Sequence, residues 1–259
     1  MRKSLFIVMF IIIVCCCIIA EAEVTLNESD ESILEAVENF SGSSKLDLEI
    51  NDYIITPHAK YYLVTLPEKS EYWINEKTHE VEGYISYSEY NNISDVEISL
   101  NDAFYIANDF AKKHFNGFLT KNLILVENES YDFGQISVYH FIWREYMVNN
   151  IEGPSVIDIV INPTNGMILS YGGINRDIII PVTSTITKEN AILIGKSQFE
   201  NINISNSETR LKIWYDEKGN QQLFWIVDIR GTGRHNIFTG GEVFIDASSG
   251  DVKSVNRYN

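Results

Sequence analysis

Cysteine is scarce in this sequence, and its position is as informative as its scarcity. The chain of 259 residues contains three cysteines, and they are adjacent, at Cys15, Cys16 and Cys17. The rest of the chain therefore has no thiol for a disulfide, a zinc–thiolate site, an iron–sulfur cluster or a cysteine nucleophile. Its stability has to come from buried apolar side chains.

Positive charge is also in short supply. Lysine and arginine together number 20 against 36 aspartates and glutamates, so the formal net charge is -16. Such a surface repels nucleic-acid phosphates and anionic membrane surfaces, so neither is expected as a partner. The charge favours solubility or adaptation to a salty medium, and an acidic face that docks a basic partner is the alternative.

The sequence lacks the motifs that mark catalytic sites. The string closest to the zinc-protease pattern His-Glu-x-x-His begins at His79 but has no second histidine, and no nucleophile elbow or Walker loop occurs. The five histidines show no metal-ligand spacing. We therefore predict no catalytic, cofactor-binding or metal-binding residues.

A few polar and aromatic residues in well-patterned segments were candidates for function, and a structural role is predicted for each. His140 lies in an apolar strand and is expected to be half-buried with its hydrogen bonds satisfied. Asp158 alternates with apolar neighbours and is expected to face solvent, whereas Asp246 is expected to brace a turn. Trp143 and Trp225 lie in apolar strands, which favours a core role over a ligand groove.

The first 22 residues resemble an export signal. Arg2 and Lys3 precede an unbroken apolar run at residues 5–19, and Ala20 and Ala22 supply an Ala-x-Ala cleavage pattern. The run is shorter than the ~20 residues that span a bilayer comfortably. A cleaved signal peptide is expected, and a retained N-terminal anchor is the alternative.

One nine-residue pattern occurs three times along the chain. It has two apolar residues, an Asn or Asp, a short polar stretch and a final Val or Ile. The copies are WINEKTHEV at 73–81, VINPTNGMI at 160–168 and FIDASSGDV at 244–252. Because Asn75, Asn162 and Asp246 can accept hydrogen bonds from backbone amides farther along the turn, each copy predicts a β-hairpin.

The residue near the end of each turn needs a positive φ. Gly166 and Gly250 adopt such a φ without steric cost, whereas the first copy has His79 in this place. The first hairpin is therefore expected to be either slightly strained or differently turned.

Candidate helices precede these hairpins at 30–40, 99–115 and 187–199, where apolar residues recur at helical spacing behind polar caps. Segments rich in β-branched and aromatic residues predict strands at 61–66, 122–126, 136–143, 156–161, 210–215 and 223–229. The predicted class is α+β, with repeated units of one helix packed on an antiparallel β-sheet.

These segments resemble the PepSY family. FIDASSGDV is close to the family's terminal hairpin, and LFWIVDI at 223–229 is similar to its tryptophan-bearing strand. FIWREYMVNNIEG at 141–153 is a further match, and YYLV with WINEKTHEV is a weaker one. The resemblance implies a PepSY/cystatin-like fold in tandem: a divergent repeat at 23–92 and further repeats at 93–178 and 179–259, after the signal or anchor at 1–22.

The resemblance also implies an extracellular or cell-envelope protein, secreted or tethered, without chemistry of its own. PepSY domains occur in the propeptides of thermolysin-like metalloproteases and in envelope proteins with regulatory roles. A protein or peptide partner is therefore expected, such as an extracellular peptidase that the chain binds or inhibits. An unrecognised extracellular hydrolase and a passive surface component are the alternatives.

Overall fold

A computed structural model describes residues 29–42, 49–67, 69–90, 93, 96–132, 137–200, 202–233 and 238–258. The predicted signal or anchor at 1–22 lies outside these residues. None of the helices in the described ranges is long and apolar enough to cross a membrane.

The chain forms four α-helices and twelve β-strands within the described ranges, with a short 3₁₀ segment before β7. The helices are α1 (Ser29–Ser41), α2 (Tyr87–Tyr90), α3 (Leu100–His114) and α4 (Lys188–Lys196). The strands are β1 (Glu49–Ile55), β2 (Lys60–Leu66), β3 (Ser70–Asn75), β4 (Val81–Ser86), β5 (Leu123–Asp132), β6 (Ser137–Tyr146), β7 (Glu152–Ile161), β8 (Ile168–Ile174), β9 (Asn203–Tyr215), β10 (Gln221–Thr232), β11 (Phe238–Asp246) and β12 (Val252–Tyr258).

The strands belong to one twelve-stranded sheet, which corrects the predicted fold class. The order is β1-β2-β3-β4-β8-β7-β9-β10-β11-β12, and β5 joins through β6, which pairs with β7. The sheet is mixed because β7 and β9 run parallel where Glu152 meets Lys212. The prediction of repeated units, each with a helix on its own antiparallel sheet, is therefore wrong. Strand propensity reveals where strands lie but not which distant strand each one pairs with.

The chain divides into two compact units. Among the described residues, the first consists of those up to 144 together with 155–175, and the second consists of 145–154 together with those from 176 onward. The division passes through β7, so that Glu152 belongs to the second unit and Asp158 to the first.

In the first unit, α3 forms where the sequence predicted a helix. The Ser99 side chain caps it by accepting a hydrogen bond from the backbone N–H of Asp102 at 3.1 Å. Ala103, Ala107 and Ala111 are completely buried against the sheet. Small side chains on this face allow the helix to pack closely on a core that includes Phe141, Trp143, Ile157 and Ile159.

The second unit repeats this construction with a shorter helix. Thr187 caps α4 by accepting from the N–H of Asn190 at 3.2 Å. Ala191 and Gly195 face the core, and a Cβ at Gly195 would lie 2.8 Å from Val227 Cγ1. Helix and strand thus approach too closely for a larger residue. Trp225, like Trp143 in the first unit, is buried in the core, so the core role predicted for both is confirmed.

The three predicted hairpins are confirmed, and they share one hydrogen-bond pattern. The side chains of Asn75, Asn162 and Asp246 accept from the backbone N–H two residues later at 2.9, 2.8 and 2.8 Å. Their carbonyls accept from the N–H four residues later at 2.8, 2.9 and 2.9 Å. The role predicted for Asp246 as a turn brace is therefore confirmed.

The first hairpin keeps the geometry of the other two although it lacks their glycine. His79 adopts a φ of 55°, next to 77° for Gly166 and 83° for Gly250. Of the two expectations for His79, the strained turn is the one observed, because a side chain with a Cβ is disfavoured in the left-handed region.

Candidate functional site

Within the described part of the chain, three strands pair on one side only and so end the sheet: β1, β12 and β5. The open side of such a strand presents main-chain donors and acceptors to any extended chain that approaches. Natural proteins usually protect these edges with charged residues, above all lysine, with proline or with bulges.

Two of the edges carry blunting features. The register of β1 shifts by a bulge between Ile50 and Asp52. In β12 the register shifts at Lys253, which has no partner in β11, and the same strand carries Arg257. Bulges bend an edge, and cationic side chains obstruct pairing, so neither strand is suited to pair with an added strand.

The third edge, β5, has ten residues with no lysine, arginine or proline among them. Leu123 and Leu125 pack against the core under α3. Ile124 and Val126 alternate with them and are 45% and 43% exposed. A long edge strand with exposed aliphatic side chains is the type that pairs with other chains. The sequence predicted a strand only at 122–126, and it gave no sign that this strand ends the sheet.

Three adjacent strands are tied together behind this edge by ionisable side chains. His140 on β6 places Nε2 2.8 Å from Asp158 Oδ1 on β7. Its Nδ1 lies 2.7 Å from Glu127 Oε1 on β5. His140 and Asp158 are 7% and 4% exposed. These three residues, which we call the buried charged cluster, connect β5 to the interior of the first unit.

The cluster holds a positive imidazolium between two carboxylates. Burial by itself would lower the pKa of His140, but the charges and hydrogen bonds of Asp158 and Glu127 outweigh burial and raise the pKa to about 10. Burial likewise opposes ionisation of Glu127, yet bonds from His140 and Tyr131 lower its pKa overall. The Tyr131 hydroxyl donates to Glu127 Oε1 at 2.6 Å. At neutral pH His140 is therefore a cation and Glu127 an anion.

The solvent-facing position predicted for Asp158 is wrong. Every residue of β7 is buried, because both faces of the sheet are covered at this point. Ile157 and Ile159 pack under α3, and on the other face Val160 packs with side chains that include Tyr90 and Tyr131. Both nitrogens of His140 lie within 2.8 Å of carboxylate oxygens. The predicted hydrogen bond is present at Nε2, whereas Nδ1 lacks hydrogen-bond geometry. The residue is buried more deeply than the half-buried position expected.

A small pocket adjoins the cluster. Its volume is about 40 Å³, and its lining includes Trp73, Tyr90, Asp158, Ser170 and Gly172. Pockets for drug-sized ligands have volumes of about 300–1,000 Å³. This pocket therefore has room for an ion or a small head group, and an organic substrate of ordinary size does not fit.

Two other histidines, His114 and His79, lie among aromatic side chains and in a hairpin turn, respectively. The ring of His114 packs against Phe40 and Phe110, and burial, with the charge of Lys113, lowers its pKa to about 4. His79 lies in the first hairpin turn. Among the described residues, no group of three His, Cys, Asp or Glu side chains could hold a metal ion.

Comparison with known proteins gives solved structures but no family. No known protein family and no curated protein matches the sequence. The C-terminal domain of YpeB from Bacillus megaterium is similar with a TM-score of 0.44 and 20% identity, covering 90% of this chain and 98% of that chain. An uncharacterized protein from Eubacterium rectale has a TM-score of 0.45 and 11% identity, covering 90% of this chain and 83% of that chain. At these scores we derive neither family nor function from either structure.

Proposed function

We propose that this chain is a non-enzymatic binding module that accepts an extended segment of a partner protein along the open side of β5. The observation that carries the proposal is the contrast between the edges. The strands β1 and β12 carry a bulge, and β12 also carries cationic residues, whereas β5 is long, has carboxylates as its charged side chains, lacks cationic residues and proline, and exposes Ile124 and Val126. In this mode of recognition, main-chain hydrogen bonds supply affinity and side-chain contacts supply preference.

The partner segment that suits β5 is basic. The strand carries Glu127, Glu129 and Asp132 and no positive residue, and the whole chain has a net charge of -16. Charge complementarity accelerates encounter and discriminates against acidic segments. We infer an extended segment in which lysine or arginine alternates with β-branched residues.

The buried charged cluster suits β5 to this role. Glu127 is paired with His140, and the Tyr131 ring packs against the His140 ring with their centroids 5.6 Å apart, so two positions of the strand are fixed to β6. A template that is ordered before binding loses less conformational entropy when the partner arrives. The cluster therefore lowers the cost of association by ordering β5 before the partner binds.

The partner that we propose is an exported protein, with a peptidase held inactive by the module as the specific case. The export-like sequence of residues 1–22 supports a location outside the cytoplasm, in the medium or at the cell envelope. The three matching hairpins support a relation to the PepSY family. Mass spectrometry of the native protein tests the location: a chain beginning at Glu23 supports it, and an intact Met1 in a cytosolic fraction contradicts it.

Selection of random ten-residue peptides displayed on phage tests the binding mode. We expect enrichment of basic, β-prone peptides. Their binding should be lost in the double variant Ile124→Lys/Val126→Lys, which adds repulsive charge to the edge. The matched control is Val148→Lys/Ile179→Lys, which makes the same changes at positions 83% and 77% exposed. Equal loss in both variants would show a general charge effect and would contradict docking on β5.

A further inference from the structure

Register places four residues of the first unit in one row across the sheet. Trp73 on β3 pairs with Gly83 on β4, Gly83 pairs with Gly172 on β8, and Gly172 pairs with Asp158 on β7. Directly paired residues point to the same face of a sheet. The two central members have no side chain, so the row has a gap between an indole at one end and a carboxylate at the other.

The indole leans into this gap. A Cβ at Gly83 would overlap the six-membered ring of Trp73, which therefore lies over the glycine. Tyr90 and Ser170, which are hydrogen-bonded to each other, contribute to the same lining. The row and these two residues enclose the pocket of about 40 Å³.

Three buried polar atoms of the lining residues have no hydrogen bond to a described residue: Asp158 Oδ2, Trp73 Nε1 and His140 Nδ1. Of these, His140 Nδ1 still lies 2.7 Å from a carboxylate oxygen, Glu127 Oε1. The other oxygen of Asp158 is occupied by His140. A buried carboxylate oxygen that lacks a donor costs free energy, and proteins normally provide it with one. Asp158, only 4% exposed, thus supplies a pocket with an acceptor that no described side chain uses.

The charges near Asp158 Oδ2 determine which kind of hydrogen-bond donor suits this oxygen. Glu127 and Asp158 carry two negative charges against the single positive charge of His140, so the buried charged cluster has a net charge of -1 when all three are ionised. Arg144 adds a positive charge that acts on Glu127, the cluster member outside the pocket lining. Aromatic rings attract cations, and those of Trp73 and Tyr90 line the pocket. Both features favour a cationic donor at Asp158 Oδ2, and the Trp73 N–H, itself a donor, makes no hydrogen bond with it.

We propose that this pocket binds a primary ammonium group, with the ammonium donating to Asp158 Oδ2 and its carbon substituent lying against the Trp73 indole. The small volume selects a single –CH₂–NH₃⁺ head, such as methylammonium or the end of a lysine side chain. A quaternary ammonium is both too large and without an N–H to donate. The pocket is a different surface from the open side of β5, and it shares His140 and Asp158 with the buried charged cluster.

Titration observed through the tryptophan indole N–H signals in a ¹⁵N spectrum tests the proposal. The chain has four tryptophans, and loss of one signal in Trp73→Phe assigns that of Trp73. Methylammonium chloride should shift the Trp73 signal saturably in the millimolar range, as its small size dictates. Sodium chloride at equal ionic strength and tetramethylammonium chloride should not. Nα-acetyl-lysine amide separates the two sources, because it binds only if a lysine side chain can reach the pocket.

Asp158→Asn should weaken methylammonium binding by about tenfold or more, since it removes the charge that the ammonium meets. Asp251→Asn is the control, because its side chain is 68% exposed and pairs with Lys253. The wild-type titration decides the matter even if Asp158→Asn does not fold. No saturable shift, or an equal shift with sodium or tetramethylammonium, overturns the proposal.

Discussion

Nε2 of His140 lies 2.8 Å from Oδ1 of Asp158, joining β6 to β7 in the interior of the first unit. The pair is extended by Glu127, so that the imidazolium is enclosed by carboxylates from both neighbouring strands. Breaking such a buried pair by removing one partner typically costs about 3–5 kcal/mol, because the other charge stays buried. The stability of the β5 edge is thereby linked to the protonation of one histidine.

This linkage predicts a pH dependence of stability. The pKa of His140 rises from 6.5 to about 10 on folding. The contribution of protonated His140 to the free energy of unfolding is therefore complete below pH 6.5 and is lost as the pH rises through about 10. Between these values the contribution falls by about 1.4 kcal/mol per pH unit. Urea denaturation of wild type and His140→Gln should show a difference that shrinks from pH 6.5 to pH 10.

The comparison isolates the cluster, since the titrating groups outside it are common to both proteins. A difference in unfolding free energy that stays constant over this pH range would show that His140 is neutral in the folded protein. The charged cluster would then have to be replaced by a neutral hydrogen-bonded pair.

The strained turn at His79 predicts a stabilising substitution. Because His79 has a φ of 55°, His79→Gly should raise the free energy of unfolding by up to about 1 kcal/mol. Glycine removes the steric cost of a Cβ at positive φ, and this gain exceeds the loss from the greater conformational entropy of the unfolded chain. Lys77→Gly is the matched control: it lies in the same turn without a positive φ and should lower stability. Thermal melts of both variants measure the effect, and a lower melting temperature for His79→Gly would refute it.

The third hairpin predicts the opposite change. Gly250 has a φ of 83°, and a β-branched residue is strongly disfavoured there. Gly250→Val should therefore destabilise the chain by about 1 kcal/mol or more. Ser248→Val, in the same turn without a positive φ, should be tolerated better. Equal melting temperatures for the two variants would mean that the turn geometry is wrongly described.

The features that the sequence predicts well are those that depend on neighbouring residues. Asn162 braces a turn because the amide of Thr164 is two positions away, and Ser99 caps a helix because Asp102 follows it by three. Such contacts are determined by local chain geometry, so the three hairpins and the helices that precede them follow from pattern alone.

The features that the sequence missed depend on residues far apart in the chain. Asp158 alternates with isoleucines as if one face of β7 met solvent, but Tyr90 and Tyr131 cover that face from distant segments. The parallel pairing of Glu152 with Lys212 likewise joins residues sixty positions apart. No local pattern records which strand lies beside another, so the single mixed sheet and the open edge of β5 could be found only in the structure.

Amide hydrogen exchange along β5 tests the central claim most directly, because docking by strand addition acts through the main chain. With the most strongly selected basic peptide bound, amides on the open side of Leu123–Asp132 should exchange far more slowly than in the free protein, and those of β1 and β12 should be unchanged. Protection at β1 or β12 instead, or unchanged exchange in β5 at saturating peptide, would contradict the claim that β5 is the binding edge.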